Sequence, residues 1–255
     1  MKYKIIHEDK DIIVVYKEAG LALASARIGQ EDLVSLLTKY IARQGAGARS
    51  VGANACGKPA HSVGANACSK ASSVGSGACG KPTTNNVPYL GVVHRLDQPV
   101  SGLVVFAKNK DAAAFLSKQA AGTDMEKIYE ATVYGHLPEK EGVLENYLIK
   151  DGKTNMSLVY DQEVPEGKYS KLAYEVISSD EKTDTVRIKL YTGRHHQIRA
   201  QFAHAGYPLL GDVKYAGEEV CKYSKTLGIR FVKLEAVELS FIHPTSKERV
   251  RFSSK

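Results

Sequence analysis

The sequence lacks several features that would assign it to a well-defined class. No apolar run approaches the ~20 residues that cross a bilayer. The first residues, Met1 to Asp9, turn polar after Ile5 and Ile6, without the apolar core of a signal peptide. A cytoplasmic protein with no membrane contact is therefore expected. Cysteine is scarce: Cys56, Cys68, Cys79 and Cys221 include no Cys-x-x-Cys pair, so the usual zinc and thioredoxin spacings are missing. Free thiols without chemistry are expected. Neither a P-loop nor a Rossmann glycine pattern between a strand and a helix is present. Adjacent His195 and His196, with His94 and His204, are not joined by Asp, Glu or Cys at ligand spacing, so no metal and no cofactor are expected.

What remains is ordinary globular material. The 255 residues are 43% apolar and 25% charged, enough for one large domain with a buried core. The net charge of +7 favours a polyanionic partner. Four of those seven charges, Arg49, Lys58, Lys70 and Lys81, lie in the acid-free segment Gly45–Val87. That segment repeats Ser-Val-Gly at Ser50, Ser62 and Ser73, and Gly-Ala-Asn-Ala-Cys at Gly52 and Gly64. The unit is too short and too poor in large apolar residues to build a solenoid, and it reads as a flexible low-complexity insertion in a surface loop.

Outside the insertion, local patterning predicts a succession of strands with few helices. Tyr3–Ile6 and Ile12–Tyr16 are β-branched and aromatic around a charged turn. Leu33, Leu36, Leu37, Tyr40 and Ile41 lie on one face of a helix over Glu31–Arg43, with Glu31 and Asp32 at its positive end. Gly102–Lys108 reads as a buried strand and Asp111–Gln119 as a helix. Alternation marks Ile128–Tyr134, Leu172 to Val176 and Val186 to Leu190 as strands. Gly193–Ala205 has a helical pattern stopped by Gly206-Tyr207-Pro208, and Phe231–Phe241 with Arg249–Phe252 closes the chain. The expected fold is α+β around a mostly antiparallel sheet, in a single domain over residues 1–255.

Three segments hold candidate chemistry. In Gly91–Gly102 an apolar run delivers His94, Arg95 and Asp97 to a turn containing Pro99 and Gly102, a rigid setting suited to a catalytic carboxylate. Spacing alone equally allows Asp97 to cap that turn and pair with Arg95. In Lys127–Gly135, Tyr129 offers a phenol for hydrogen bonding or proton transfer, or simply a ring packed at a strand start. In Tyr191–Arg199, Arg194 and Arg199 are multidentate donors for carboxylate or phosphate. Gly206–Tyr215 reads as structural, fixing the end of the helix before it, and His204 is expected to pack or bind phosphate.

These motifs, in this order, resemble the RluA-type RNA pseudouridine synthases. His94-Arg95-Leu96-Asp97 with Ser101–Lys108 is similar to the family's signature segment. Lys127–Gly135 resembles its tyrosine-bearing strand, and Gly193–Arg199 with Gly206–Tyr215 its third motif. Phe241-Ile242-His243-Pro244 and Glu8–Gly20 resemble its closing and entry hairpins. The resemblance implies the pseudouridine synthase fold, a mixed sheet flanked by helices and loops with a cleft across it. It also implies isomerisation of uridine in structured ribosomal or transfer RNA. It implies no protein partner, and a monomer is the default expectation.

Residue by residue, the resemblance makes Asp97 the essential aspartate, Tyr129 the tyrosine that stacks on the target base and takes part in proton removal, and Arg194 the arginine paired with Asp97. Arg95, His94, Arg199, His196 and Lys127 are expected to meet RNA, with Ile198 and Leu96 packing the site. Departures are Val100 where threonine is common, His195 where Thr or Ser is frequent, and the repeat insertion. The small RNA-binding domain that many relatives carry in front is not expected here. Two other readings are a non-catalytic RNA-binding protein on the same fold and a sugar hydrolase. The hydrolase would need a second carboxylate that these motifs do not supply.

Overall fold

The computed structural model describes residues 2–25, 29–47 and 87–255. The expectations for Cys56, Cys68, Cys79 and all but the edges of the repeat insertion lie outside those residues. The chain divides into two compact units, Met1–Leu36 with Tyr89–Lys255, and Leu37–Pro88. The first contains the sheet.

Among the described residues the strands are β1 (Tyr3–Glu8), β2 (Ile12–Lys17), β3 (Gly91–Val92), β4 (Ser101–Ala107), β5 (Glu126–Tyr134), β6 (Glu141–Asp151), β7 (Met156–Tyr160), β8 (Lys168–Ser179), β9 (Thr183–Leu190), β10 (Leu234–Ile242) and β11 (Arg249–Ser253). The helices are α1 (Leu33–Gly47), α2 (Lys110–Ala121), α3 (Gln197–His204) and α4 (Glu218–Thr226). All eleven strands form one sheet in the order β1-β2-β4-β10-β5-β9-β8-β6-β7, with β11 on β10 and β3 on β4. The pairings are antiparallel except β4 with β10, which makes the sheet mixed. The α+β expectation holds.

The centre of the sheet is apolar on both faces. Ile12 to Val15 on β2 and Leu103 to Ala107 on β4 are buried without alternation, as strands covered on both sides are. On one side Ile12, Val14, Leu103 and Val105 pack with Ala112 and Leu116 of α2 and with Leu239 and Phe241 of β10. Helix α2 starts where Asn109 Oδ1 accepts the Ala112 N–H at 2.8 Å, which satisfies one of its free donors. Asp9 ties the two ends of the chain together. One carboxylate oxygen caps the β1–β2 turn, and the other accepts from His7 and from His243, after β10.

Where local pattern misled, the reason is visible. Helix α1 begins at Leu33, not Glu31, because Asp32 is its cap, accepting the Ser35 N–H at 2.7 Å. Strands β6 and β7 were missed because they bury few large side chains; Val143 and Leu158 face solvent. Helix α4 buries only Val220 and Ser224, too little for a visible period. Helix α3 spans eight residues from Gln197, because His196 is left-handed (φ 49°, ψ 26°).

Candidate active site

The loop between β3 and β4 carries Asp97 and is fixed from several sides. Buried Leu96 and Val100 anchor its ends, and the Asp97 carbonyl accepts the Val100 N–H at 3.1 Å, closing a turn over Gln98-Pro99. Lys17, at the end of β2, is fully buried beneath it. Its Nζ donates to the carbonyls of Leu21 (3.0 Å), Glu18 and Gln98 (both 3.2 Å). Gly20 and Gln98 exchange two further bonds, Gly20 N to the Gln98 carbonyl and Gln98 Nε2 to the Gly20 carbonyl. The turn after β2 is thereby stapled to the loop bearing the carboxylate. Burial pushes the Lys17 amine down to about 8, against the pull of Asp97 and Glu18.

Asp97 faces two groups from the third motif. Arg199 Nη1 lies 3.4 Å from Asp97 Oδ2, and His196 Nε2 lies 3.6 Å from the same oxygen. Arg199 is itself held by Asp212, with Nε and Nη2 each 2.7 Å from a carboxylate oxygen in the bidentate geometry that suits guanidinium. Burial opposes its charge, but Asp212, with Asp97 adding, holds the guanidinium pKa above its ordinary value. The ring of Tyr215 covers Arg199, 5.2 Å from ring centroid to guanidinium carbon.

This corrects the expected pairing. Arg194 makes no ion pair with Asp97; its Nε donates to the Tyr169 carbonyl at 3.0 Å and its side chain is exposed. Nor does exposed Arg95 pair with Asp97. His195 and His196 do not splay apart as on a helix, because neither lies in one; their rings stack at 3.8 Å. His204 pairs with Asp161 at 2.8 Å, away from this cluster.

The central strand β5 supplies Tyr129, only 6% exposed, opposite Ile188 of β9 and Ala236 of β10. Burial, with Asp97 adding, raises the phenol pKa far above the ordinary tyrosine value. Lys127, two residues earlier, is half-buried and its pKa is lowered by desolvation. His94 Nε2 accepts the Val105 N–H at 3.2 Å, while its Nδ1 is buried without a protein partner. Burial, with Lys127 adding, lowers that histidine to about 3.

Every residue expected at the site from the sequence lines one cavity of about 540 Å³. That includes Asp97, Tyr129 and Arg194, the surrounding Arg95, His94, Arg199, His196 and Lys127, and the packing residues Ile198 and Leu96. Lys17, Asp212 and Tyr215 were missed as functional. Lys17 sits within a hydrophobic strand pattern, and Asp212 within a turn-rich segment, so neither had a local signal beyond the motif containing it.

Comparison with known proteins agrees with this architecture. The profile of the RNA pseudouridylate synthase family matches residues 11–204. The dual-specificity RNA pseudouridine synthase RluA of Vibrio parahaemolyticus is 40% identical over 166 residues, 62% of this chain and 63% of that protein. Ribosomal large subunit pseudouridine synthase D of Pseudomonas aeruginosa is 32% identical over 176 residues, 66% of this chain and 54% of that one. Human RNA pseudouridylate synthase domain containing 4 shares the fold, with a TM-score of 0.68 at 21% identity, over 98% of this chain and 87% of that one. The chain therefore belongs to the RNA pseudouridylate synthase family. Within it, the relatives and the motif order make it an RluA-type member, although the matched stretch spans less than two thirds of either bacterial relative.

Proposed function

We propose that this protein isomerises uridine to pseudouridine in structured RNA, as a single catalytic domain carrying the repeat segment as an insertion, with Asp97 as the catalytic carboxylate. The observation that carries this reading is the convergence of Asp97, Tyr129 and Arg199 on one cavity, with Asp97 held by a turn and faced by a buried arginine. The reaction breaks the glycosidic bond, turns the uracil and rejoins it through carbon 5. It changes no oxidation state and consumes no phosphate, so it needs no cofactor.

A uridine in a helical stack must leave that stack to reach a carboxylate, so the substrate is a flipped-out nucleotide. A cavity of about 540 Å³ is in the range that takes one small ligand. Tyr129 stacks on the uracil. Its raised pKa keeps the phenol protonated, which favours stacking and hydrogen-bond donation over proton removal from carbon 5. Arg199 supports the negative charge of Asp97, and exposed Arg95 holds the flipped nucleotide or its phosphate. Arg194, Lys150 and Lys168 line an adjoining hollow of about 400 Å³ and suit backbone phosphates. Ribosomal and transfer RNA, a cytoplasmic setting and action as a monomer complete the proposal. The non-catalytic RNA-binding reading leaves the Asp97–Arg199–Asp212 arrangement without a purpose.

The test is tritium release. RNA labelled at uridine carbon 5, from cells lacking the gene, is incubated with the protein and with Asp97→Asn. Release by the unsubstituted protein alone supports the isomerase. RNA binding without release by either protein supports the non-catalytic reading.

A further inference from the structure

His196 is the residue that sequence pattern treats as an RNA contact and that the structure turns inward. Its side chain is 8% exposed. Its backbone is left-handed, a conformation that non-glycine residues seldom adopt and that persists only when the surroundings enforce it. The ring has a neighbour on one face and another at its edge. His195 stacks on one face at 3.8 Å, and Tyr215 meets it edge-on at 5.7 Å. His195 is itself fixed by Ser157, whose Oγ donates to the His195 carbonyl at 2.6 Å and lies 3.1 Å from His195 Nδ1.

The two ring nitrogens of His196 have different neighbours. Nδ1 is 3.0 Å from the Tyr215 hydroxyl, and Nε2 faces Asp97 Oδ2 at 3.6 Å. The Tyr215 oxygen also accepts the Ser157 backbone N–H at 2.7 Å, a bond in which the amide can only donate. The phenol keeps one proton to give; His196 Nδ1 and the Ser157 hydroxyl both lie within its reach, and the imidazole nitrogen is the stronger acceptor. Burial pushes the imidazole below the ordinary histidine range against the pull of Asp97, so the ring is neutral at physiological pH. A neutral ring accepting at Nδ1 carries its proton on Nε2. The opposite tautomer would turn a lone pair toward a carboxylate.

We propose, on the basis of the uridine isomerase reading, that His196 is a positioning residue for Asp97. It acts as a neutral imidazole, set by Ser157 and Tyr215 in the Nε2–H tautomer, that turns its N–H dipole toward the carboxylate. At 3.6 Å the contact is longer than a hydrogen bond, as catalytic contacts often are before substrate binds. With Arg199 it places two donors on Asp97 Oδ2, which leaves Oδ1 as the oxygen free to react. His195 covers one face of the ring.

Two measurements on the full chain test this. Labelling histidine with 15N reads the tautomer directly at neutral pH. A protonated Nε2 and unprotonated Nδ1 for His196 are expected, with loss of that bias in Tyr215→Phe; the reverse tautomer overturns the proposal. In tritium release, His196→Leu should lower kcat on the order of tenfold or more, the size of one charge-assisted donor, with KM little changed. His196→Gln should recover most of that, because its side-chain amide can place an N–H near the imidazole Nε2. Tyr215→Phe should fall between. Equal losses in the Leu and Gln variants, or none in the Leu variant, overturn the proposal. If His196→Leu does not fold, Tyr215→Phe and the tautomer decide. Absence of release by the unsubstituted protein would refute the isomerase reading, and the tautomer measurement would still decide the structural half of this one.

Discussion

Arg199 and Asp212 are joined by two hydrogen bonds of 2.7 Å, with both side chains buried. The pair is the base on which the site stands, because the remaining guanidinium nitrogen is the one that reaches Asp97. Thirteen residues separate the two, across the end of α3 and the turn after it.

Removing Asp212 leaves the buried Arg199 charge with only the longer contact to Asp97. Asp212→Ala should cost about 3–5 kcal/mol in urea unfolding and lose activity as well. Asp97→Asn should change stability by less than about 1 kcal/mol, because Asp97 is partly open to water, while abolishing tritium release. Comparable stability losses in the two variants would mean that Asp97 belongs to the structural pair.

Arg194 and Arg199 should separate kinetically. Arg194→Ala removes an exposed cation at the cavity rim, so KM should rise about three- to tenfold with kcat within about threefold. Its RNA affinity should also depend less steeply on salt. Arg199→Lys keeps the charge but breaks the two-pronged hold on Asp212, and kcat should fall at least about tenfold. Steady-state tritium release at several salt concentrations checks both. A larger kcat loss for Arg194→Ala than for Arg199→Lys would restore the expected Arg194–Asp97 partnership.

Lys17 predicts a pH dependence. Its folded pKa is lowered to about 8 from the ordinary lysine value of 10.5, so between those values the unfolded chain binds more protons. The contribution of this group to folding stability therefore rises with pH across that window. The depression corresponds to a few kcal/mol at most, at about 1.4 kcal/mol per pKa unit. The stability of the unsubstituted protein minus that of Lys17→Met should grow between pH 7 and 10. Activity should move the other way, since a neutral amine has only two protons for three carbonyls and loosens the Asp97 loop. A stability difference that stays flat across this range would show that Lys17 does not titrate there.

Gly102 is the second residue of β4, the strand that leaves the Asp97 loop. Its φ of +124° and the approach of β10 exclude a side chain, since a Cβ would lie 2.4 Å from the Ala236 N and O. Gly102→Ala should destabilise by at least about 2 kcal/mol and lower activity through the loop. Gly152→Ala, in open space between β6 and β7, should shift stability by less than about 1 kcal/mol. Equal melting temperatures for the two variants would contradict the close β4–β10 contact.

Much of this was legible beforehand. The strands through Ile12–Val15 and Leu103–Ala107 were readable because burial on both faces demands continuous apolar residues. Asp97, Tyr129 and the Gly193–Arg199 segment were readable as a set because their order and residue types resemble a family pattern. Strand β6 was not, since Val143 faces water and Asn146 is buried, the reverse of the usual code. His196 looked like a helical surface residue because a pattern of apolar positions does not report a left-handed residue at the helix start.

By itself the sequence determined the class of fold, the segments that converge on the cavity and the carboxylate at its centre. The fold class follows from local periodicity and turn residues, and the segments and the carboxylate from the resemblance of motif order, each contained within a few tens of residues. Tertiary structure alone decided which arginine meets Asp97, because the two residues are 102 positions apart and both Arg194 and Arg199 fit the spacing. It also decided that Asp212 holds that arginine, that Lys17 fastens the loop and that His196 faces inward. Those choices depend on the path of backbones brought together by β4, β5 and β10, and on the cost of burying a charge without a partner.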